Sequence, residues 1–478
     1  MTRPDESRSP QRPSWLCVAY AFPPISRSGT HRTLSFVRHL DRLGWDATVI
    51  TAQPDGEPID EALTKLIPSS TSVTRAPWSD LIDVVKQTLH LPSRELARTP
   101  RSVETQSAVA AANERRGLRE WVSRLLMTPD SRIGWIRSGV RAAIAAARLR
   151  RPDVIYSTSP YMSAHLIALR VSRRLGLPWV ADFRDPWRDN PFRTLGFKSL
   201  ERWDAWLERR VLHRASHIIC NTPTMRQALV RRCSFVANKC STILNGVDLE
   251  AFADITPLRL ATARTNRFVL MHCGQFYGRR SPDVWFAALK ILRERSPATA
   301  ARVKLVLLGC EHYDGRPLTE LAGAAGVADC VDVIPPVPHD QALRYMAGSD
   351  ALILAGADGH GGDLQIPNKL FEYLGLKRPI LAALAEQSPA VNILREAGAD
   401  VMICQAQDSQ KIADAMTHLA TRGRTAGSDL WSGVARFDRS HRAAELLEVF
   451  RRVTREAGAA RATIERQPRG SVVKALST

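Results

Sequence analysis

Residues 15–51 read WLCVAYAFPPISRSGTHRTLSFVRHLDRLGWDATVIT. Trp15–Ala21 is an apolar run of strand length. It breaks at Phe22-Pro23-Pro24 and passes into Ser26–Thr30, a loop that carries Gly29. From His31 to Leu43 the apolar residues Leu34, Val37, Leu40 and Leu43 fall on one face, as a helix requires. Gly44 ends that helix, and Ala47–Thr51 returns to strand character. Strand, glycine-bearing loop, helix and strand form one βαβ unit, which makes the two strands parallel.

The same alternation returns downstream. Helices are expected at Ile136–Leu149, Met162–Leu175 and Ser199–Ala215, with strands at Val154–Ser157, Trp179–Phe183 and His217–Cys220. A second series starts after Asn245-Gly246 and runs from the strand Phe268–Cys273 to the strand Ile380–Ala383. A chain of 478 residues is too long for one compact domain and suits two. The fold class is therefore α/β, two tandem Rossmann-like doubly wound domains facing a cleft, with ligands at the carboxyl ends of the strands. The expected boundaries are a disordered segment over 1–14, a first domain over 15–245 with a helical insertion at about 53–130, and a second domain over 246–430. A helix over 431–454 is expected to pack back on the first domain, ahead of a basic disordered tail over 455–478. Within the insertion, helical pieces are expected near Leu81–Leu89 and Ala108–Leu126, the second with an apolar stripe around Trp121 beside several arginines.

Hydrophobic residues are 44% and charged residues 24%, the mix of a globular protein. No apolar run approaches the ~20 residues of a membrane span. Met1–Ser14 is polar and lacks the apolar core of a signal peptide, so the expected compartment is the cytosol, with a possible station at the inner face of the membrane. Eight cysteines, none in a C-x-x-C pair, fit neither a zinc ligand set nor a disulfide framework. Net charge is +19. Residues 1–250 hold 38 Lys+Arg against 24 Asp+Glu, an excess of 14, so an anionic partner is expected at the first half.

Common nucleotide and hydrolase signatures are absent. Neither half contains G-x-G-x-x-G, G-x-x-x-x-G-K-[ST], H-E-x-x-H or G-x-S-x-G. What remains is a set of loops that follow strands. Gly29 sits where a helix begins, a place suited to phosphate. Asp182-Phe183-Arg184-Asp185-Pro186-Trp187 puts two carboxylates and an arginine after a buried strand. Gly274–Arg280 ends on Arg279 and Arg280, a guanidinium pair that suits a diphosphate. Gly356–Gly362 is a glycine-rich loop leading to a helix opened by Pro367 and Asn368, on which Lys369 and Glu372 share a face. A carboxylate there can bind a ribose diol while the helix N-terminus meets phosphate.

Taken together these segments resemble retaining glycosyltransferases of family 4, GT-B enzymes that move a sugar from a nucleotide diphosphate. The resemblance covers roughly Trp15–Val449. It rests on FPPISRSGTHRT near the start, PDVIYSTSP at Pro152–Pro160, LPWVADFRDPW at Leu177–Trp187, NGVD at Asn245–Asp248, HCGQFYGRR at His272–Arg280 and PNKLFEYLGLKRPIL at Pro367–Leu381. The DFRDPW and PNKLFEY versions are similar to the branch that acts in polysaccharide or glycoconjugate assembly.

This resemblance implies a nucleotide-sugar-binding second domain and an acceptor-binding first domain. It implies that Arg279 and Arg280, or one of them, hold the pyrophosphate with Lys369 and the Gly29 loop, and that Glu372 binds the ribose. The donor sugar would meet the loop of Gly359, His360, Gly361, Gly362 and Asp363. Two departures stand out: Leu364 occupies the place of the family's first acid, with Asp363 one position off, and Arg184 stands where a histidine is usual. Asp185 or Arg184 is the candidate replacement as catalytic residue, and His165 is read as structural. The leaving diphosphate would be met by cations and a helix dipole, so no metal and no other cofactor is expected. The expected partners are a nucleotide sugar and a lipid-linked or anionic acceptor, with peripheral contact to anionic membrane and no nucleic acid. The rival readings are a nucleotide-sugar epimerase on the same scaffold and an inactive homologue that binds a membrane surface.

Overall fold

The computed structural model describes residues 12–27, 29–79, 118–190, 195–260, 267–278, 280–356, 366–423 and 430–466. In the first domain the strands are β1 (Ser14–Ala19), β2 (Asp46–Ala52), β3 (Ser72–Ala76), β4 (Val154–Thr158), β5 (Trp179–Phe183), β6 (His217–Cys220) and β7 (Cys240–Thr242). They pair in the order β3-β2-β1-β4-β5-β6-β7, every pair parallel. In the second domain β8 (Phe268–Cys273), β9 (Val303–Leu308), β10 (Val331–Ile334), β11 (Ala351–Ala355), β12 (Ile380–Leu384) and β13 (Val401–Gln405) pair in the order β10-β9-β8-β11-β12-β13, again all parallel. Strand order reverses between β1 and β4 and between β8 and β11. A doubly wound sheet opens its binding crevice at such points.

The alternation of β1 fills both faces of the first sheet. Leu16 and Val18 enter one apolar cluster, while Trp15, Cys17 and Ala19 enter another. The second cluster also takes Leu34, Val37 and Leu40 from the Thr30–Arg42 helix, together with Ala443, Leu446 and Phe450 from the last helix, Arg439–Arg466. Phe450 meets Trp15 and Tyr156 at ring distances of 5.5 and 6.1 Å. The C-terminal helix thus completes the first domain's core.

Several expectations need correction. Ser14, expected in a disordered segment, is the first residue of β1. Inside the span read as a helical insertion, Ser72–Ala76 is the edge strand of the sheet. It is only five residues long and its side chains are mostly part-exposed, so it carries little apolar signal. Leu118–Leu126 is helical, whereas Leu81–Leu89 lies outside the described residues. The segment 431–437 packs through Trp431, Val434 and Phe437 into the second domain, and the crossing helix begins at Arg439. That helix continues to Arg466 through residues expected to be disordered, because its Ala, Arg and Glu content sustains helical propagation.

The two chain crossings lie side by side. Val247 N–H donates to Phe437 O at 2.9 Å, and Arg439 N–H donates to Val247 O at 2.9 Å. The hinge is therefore a hydrogen-bonded pair of strands of chain rather than a loose linker.

Candidate functional site

Between the two sets of strand ends lies a cleft of about 690 Å³, lined by both domains and by the start of the C-terminal helix. From the first domain it receives His31, Arg184 and Asp185, and from the second His272, Arg280, Lys369 and Glu372.

Beneath the first-domain wall sits a buried polar network. Asp182, the penultimate residue of β5, accepts from Arg32 Nε at 3.0 Å and Arg32 Nη2 at 3.2 Å. It also accepts from the Tyr156 hydroxyl at 2.5 Å and from Thr158 Oγ1 at 3.1 Å. Arg32 sits in the first turn of the Thr30–Arg42 helix and sends its other donors to Ile243 O, Leu244 O and Asn245 Oδ1 at 2.9, 2.7 and 3.1 Å. All five guanidinium protons are used, which offsets the desolvation cost of burying this group. Of the two carboxylates in DFRD, the first is therefore structural. Arg32 received no role from the sequence, because an arginine in a helix's first turn reads as a surface residue.

Asp185 faces the cleft. Burial pushes its carboxyl up, while the nearby guanidinium groups of Arg184 and Arg280 pull it down. Arg184 is buried, and its backbone is fixed by Ser159 Oγ, which accepts from Arg184 N–H at 2.9 Å. Gly29 lies against it: a Cβ on Gly29 would stand 2.9 Å from Arg184 Nη1. The glycine has an ordinary helical φ of −73°, so its use is close approach. His165 is in the core as expected, with Nδ1 2.8 Å from Ser157 Oγ and its ring stacked on Phe183. Burial drives its pKa down to about 3, so it is neutral.

On the second-domain wall the Lys369–Leu376 helix opens toward the cleft. Asn368 precedes it, yet its side chain makes no capping bond; Asn368 Oδ1 instead accepts from Asn245 Nδ2 at 2.6 Å. Glu372 pairs with His339, whose Nε2 lies 3.0 Å from Oε1. Burial would raise the Glu372 carboxyl, but the His339 hydrogen bond and the charges of His339 and Lys369 overcome it and hold the pKa at about 2. The His339 imidazole is correspondingly raised by that bond. Across the cleft His31 lies against His339, ring centroids 5.1 Å apart, and burial followed by the charge of His339 lowers it to about 4.

Lys369 reaches over Gly274, where a Cβ would stand 2.3 Å from Nζ; φ at Gly274 is +97°, so both space and backbone demand glycine. Arg280 stacks over the Tyr277 ring at 4.8 Å and donates to its hydroxyl, and its Nε has no hydrogen-bond partner among the described residues. His272, at the end of β8, is stacked on Phe276 and held neutral by burial, with a pKa of about 3. Its Nε2 has no partner among the described residues. The sequence reading gave His272 no role because it sits inside a strand. Arg279, Gly359, His360, Gly361, Gly362, Asp363 and Leu364 lie outside the described residues. Among the described residues no group of three or more His, Cys, Asp or Glu could hold a metal ion, and no helix is long and apolar enough to cross a membrane.

Comparison with known proteins agrees with this two-domain division. Residues 30–251 match the model described as Glycosyltransferase Family 4, and residues 267–422 match Glycosyl transferases group 1. The D-inositol 3-phosphate glycosyltransferase of Salinispora tropica is 30% identical over 156 residues, 30% of this chain and 32% of the relative. That of Stackebrandtia nassauensis is 27% identical over 265 residues, 51% of this chain and 55% of the relative. The chain thus spans between about a third and about half of the length of these curated relatives. In fold it is similar to sucrose-phosphate synthase from Thermosynechococcus elongatus, with a TM-score of 0.58 and 13% identity over 92% of this chain and 99% of that one. It is likewise similar to Anabaena HepE in complex with UDP-glucose, with a TM-score of 0.55 and 15% identity over 91% and 99%. With one glycosyltransferase model on each domain and the shared two-sheet architecture, the chain belongs to the GT-B glycosyltransferases of family 4.

Proposed function

We propose that this protein transfers a sugar from a nucleoside diphosphate, held by the second domain, to an acceptor held by the first, with retention of anomeric configuration. The observation that carries this reading is the wall of the cleft formed by Glu372, Lys369 and Arg280. An ionised carboxylate with a pKa of about 2 stands one helical turn from a lysine at a helix N-terminus, with a guanidinium on the same side of the cleft. A carboxylate suits a ribose diol, and the lysine, guanidinium and helix dipole suit a diphosphate. Arg279 and the loop of Gly359, His360, Gly361, Gly362 and Asp363 are assigned to the pyrophosphate and the donor sugar on the family resemblance.

The reaction needs little covalent help from the protein. The C1–O bond to phosphate breaks with its electron pair on the phosphate oxygen, where Arg280, Lys369 and Arg184 meet the growing charge. The acceptor hydroxyl bonds C1 on the face the phosphate leaves, and its proton passes to the departing phosphate oxygen. Asp185, between two guanidinium groups, stabilises the cationic sugar carbon and orients the acceptor. These roles need no metal. The hydrogen-bonded hinge at Val247 and Arg439 allows the domains to close and exclude water. The basic first domain suits an anionic acceptor, lipid-linked or phosphorylated, and the curated relatives' name, D-inositol 3-phosphate glycosyltransferase, makes a phosphorylated polyol the first to try. All eight cysteines are free, which fits a cytosolic enzyme in polysaccharide or glycoconjugate assembly.

The test is a thermal-shift panel of nucleoside diphosphates and their sugars in the presence of a chelator, starting with uridine nucleotides. A ligand that binds only the folded state raises the melting temperature, by an amount that grows with the logarithm of its concentration over its Kd. The donor so identified is then incubated with inositol phosphates, and the anomeric coupling constant of the product is read by NMR. A flat panel, or a product of inverted configuration, would overturn the reading.

A further inference from the structure

Away from the cleft, the Lys198–Arg214 helix carries a cluster of exposed aromatic and arginine side chains. Positions 199, 202, 203, 206, 209, 210 and 213 share one face of that helix, and all seven residues are exposed. They include Trp203 and Trp206, 43% and 44% exposed, and Arg202, Arg209 and Arg210. The two indoles stack on each other at 4.7 Å, and Arg210 covers Trp206 at 4.5 Å. At the far end His213 stacks on Phe235, itself 38% exposed, with Arg209 over the same ring. At the near end Ser199 accepts a hydrogen bond from Trp121 of the Leu118–Leu126 helix. The exposed tryptophan and phenylalanine side chains of the described residues all fall on this one stripe.

Charge is sorted across the helix. Two of its three acids, Asp204 and Glu208, turn inward, Asp204 accepting from Trp187 Nε1 at 2.9 Å and Glu208 taking both Arg232 Nη groups at 2.5 and 2.9 Å. The third, Glu201 in the first turn, is exposed but lies off the face of the two tryptophans. The outward side keeps the arginines, and Arg170 and Arg174 of the neighbouring helix extend the same positive field toward Arg210.

We propose that this face is a docking surface for an anionic lipid bilayer. Tryptophan prefers the bilayer interface, where its ring is buried and its N–H stays wet, and arginine is drawn to anionic headgroups. Single-stranded nucleic acid fits poorly, since both faces of Trp206 are covered by Trp203 and Arg210 and no base can stack there. A second copy of this chain also fits poorly, since a twofold contact would set arginine against arginine. The inner side of the same helix holds Trp187, two residues beyond Asp185, so this surface lies on the domain that supplies Asp185 to the cleft. This surface is separate from the nucleotide wall and is tested without reference to the reaction.

Full-length protein is floated with phosphatidylcholine vesicles with and without phosphatidylglycerol, at low and high salt. Binding is expected only to the anionic vesicles and is expected to fall with salt. W203A/W206A and, independently, R209Q/R210Q are each expected to weaken it roughly tenfold, with melting temperature and nucleotide-induced thermal shift unchanged. Absence of wild-type binding, or equal binding by both variants, overturns the proposal. So does a dimer or an RNA complex that W203A/W206A abolishes while vesicle binding persists.

Discussion

Asn245 Nδ2 donates to Asn368 Oδ1 at 2.6 Å, joining the hinge to the first residue before the helix that carries Lys369 and Glu372. Asn245 Oδ1 in turn accepts from Arg32, which holds Asp182 at the end of β5. One side-chain amide therefore links the first-domain wall, the hinge and the second-domain wall. The prediction is that this link transmits domain position to the site. N245A should leave each domain folded, with melting temperature changed by only a few degrees, and should lower kcat for sugar transfer about tenfold. Steady-state kinetics with the donor found by thermal shift, alongside the melting curve, reads both.

The Arg32–Asp182 pair makes a different prediction. Both groups are buried, and removing the arginine strands a carboxylate with only hydroxyl partners. R32M should cost about 3–5 kcal/mol and lower the melting temperature by roughly 10 °C. R32M/D182N should recover part of that loss, because the remaining groups are neutral. Calorimetry of the two variants measures it, and equal losses in both would show that the pair is not coupled.

How much of this was legible in the sequence follows from what each residue advertises. The βαβ pattern of residues 15–51 carried the fold, since strand length and helical spacing are local properties. The clustering of Arg184, Asp185, Lys369 and Glu372 at one cleft was legible through the rule that doubly wound sheets bind at strand ends. Partners were not legible. That Glu372 and Lys369 share a helix face was legible, but not that Glu372 is held by His339, thirty-three positions away. Asn368 looked like a helix cap, and its side chain crosses to the hinge instead. Gly274 looked like a loop glycine, but the reason for it is Lys369 lying over its missing side chain. Spacing along a chain reports faces of an element, while contacts between domains leave no periodic trace.

The histidine contact across the cleft gives a pH prediction. His31, in the first domain, is lowered to about 4 by burial and then by the charge of His339, so the arrangement in which the two rings meet, taken here as the closed one, favours its neutral form. A histidine free in the open state titrates near 6.5. The closed state is then fully favoured above about 6.5 and loses ground as pH falls from there toward 4, where further acid has no added effect. The other groups facing His31 are Glu372 and Asp60, which pull its pKa up, and Arg439, which pushes it down. H31N should flatten the acid limb of the pH–activity profile between 6.5 and 4 while leaving activity at pH 8 within about twofold. An unchanged acid limb would remove His31 from the closing step.

Asp185 and Arg280 face each other from opposite domains, and their roles separate in the kinetics. The proposed function puts Arg280 on the nucleotide wall of the cleft, and on that reading R280A should weaken binding of the nucleoside diphosphate about tenfold or more, from the loss of a charged hydrogen-bonding group. R280K should restore charge without the bidentate fork and fall between. The proposed function puts Asp185 on the acceptor side, and on that reading D185N should leave nucleotide affinity near wild type and lower kcat about a hundredfold, through loss of a carboxylate beside the reacting carbon. Binding is read by titration calorimetry and turnover by release of nucleoside diphosphate. If D185N instead weakened nucleotide binding while keeping kcat, Asp185 would be part of the electrostatic frame that holds Arg184 and Arg280, and the stabilising role at the sugar carbon would pass to another group on the first-domain wall.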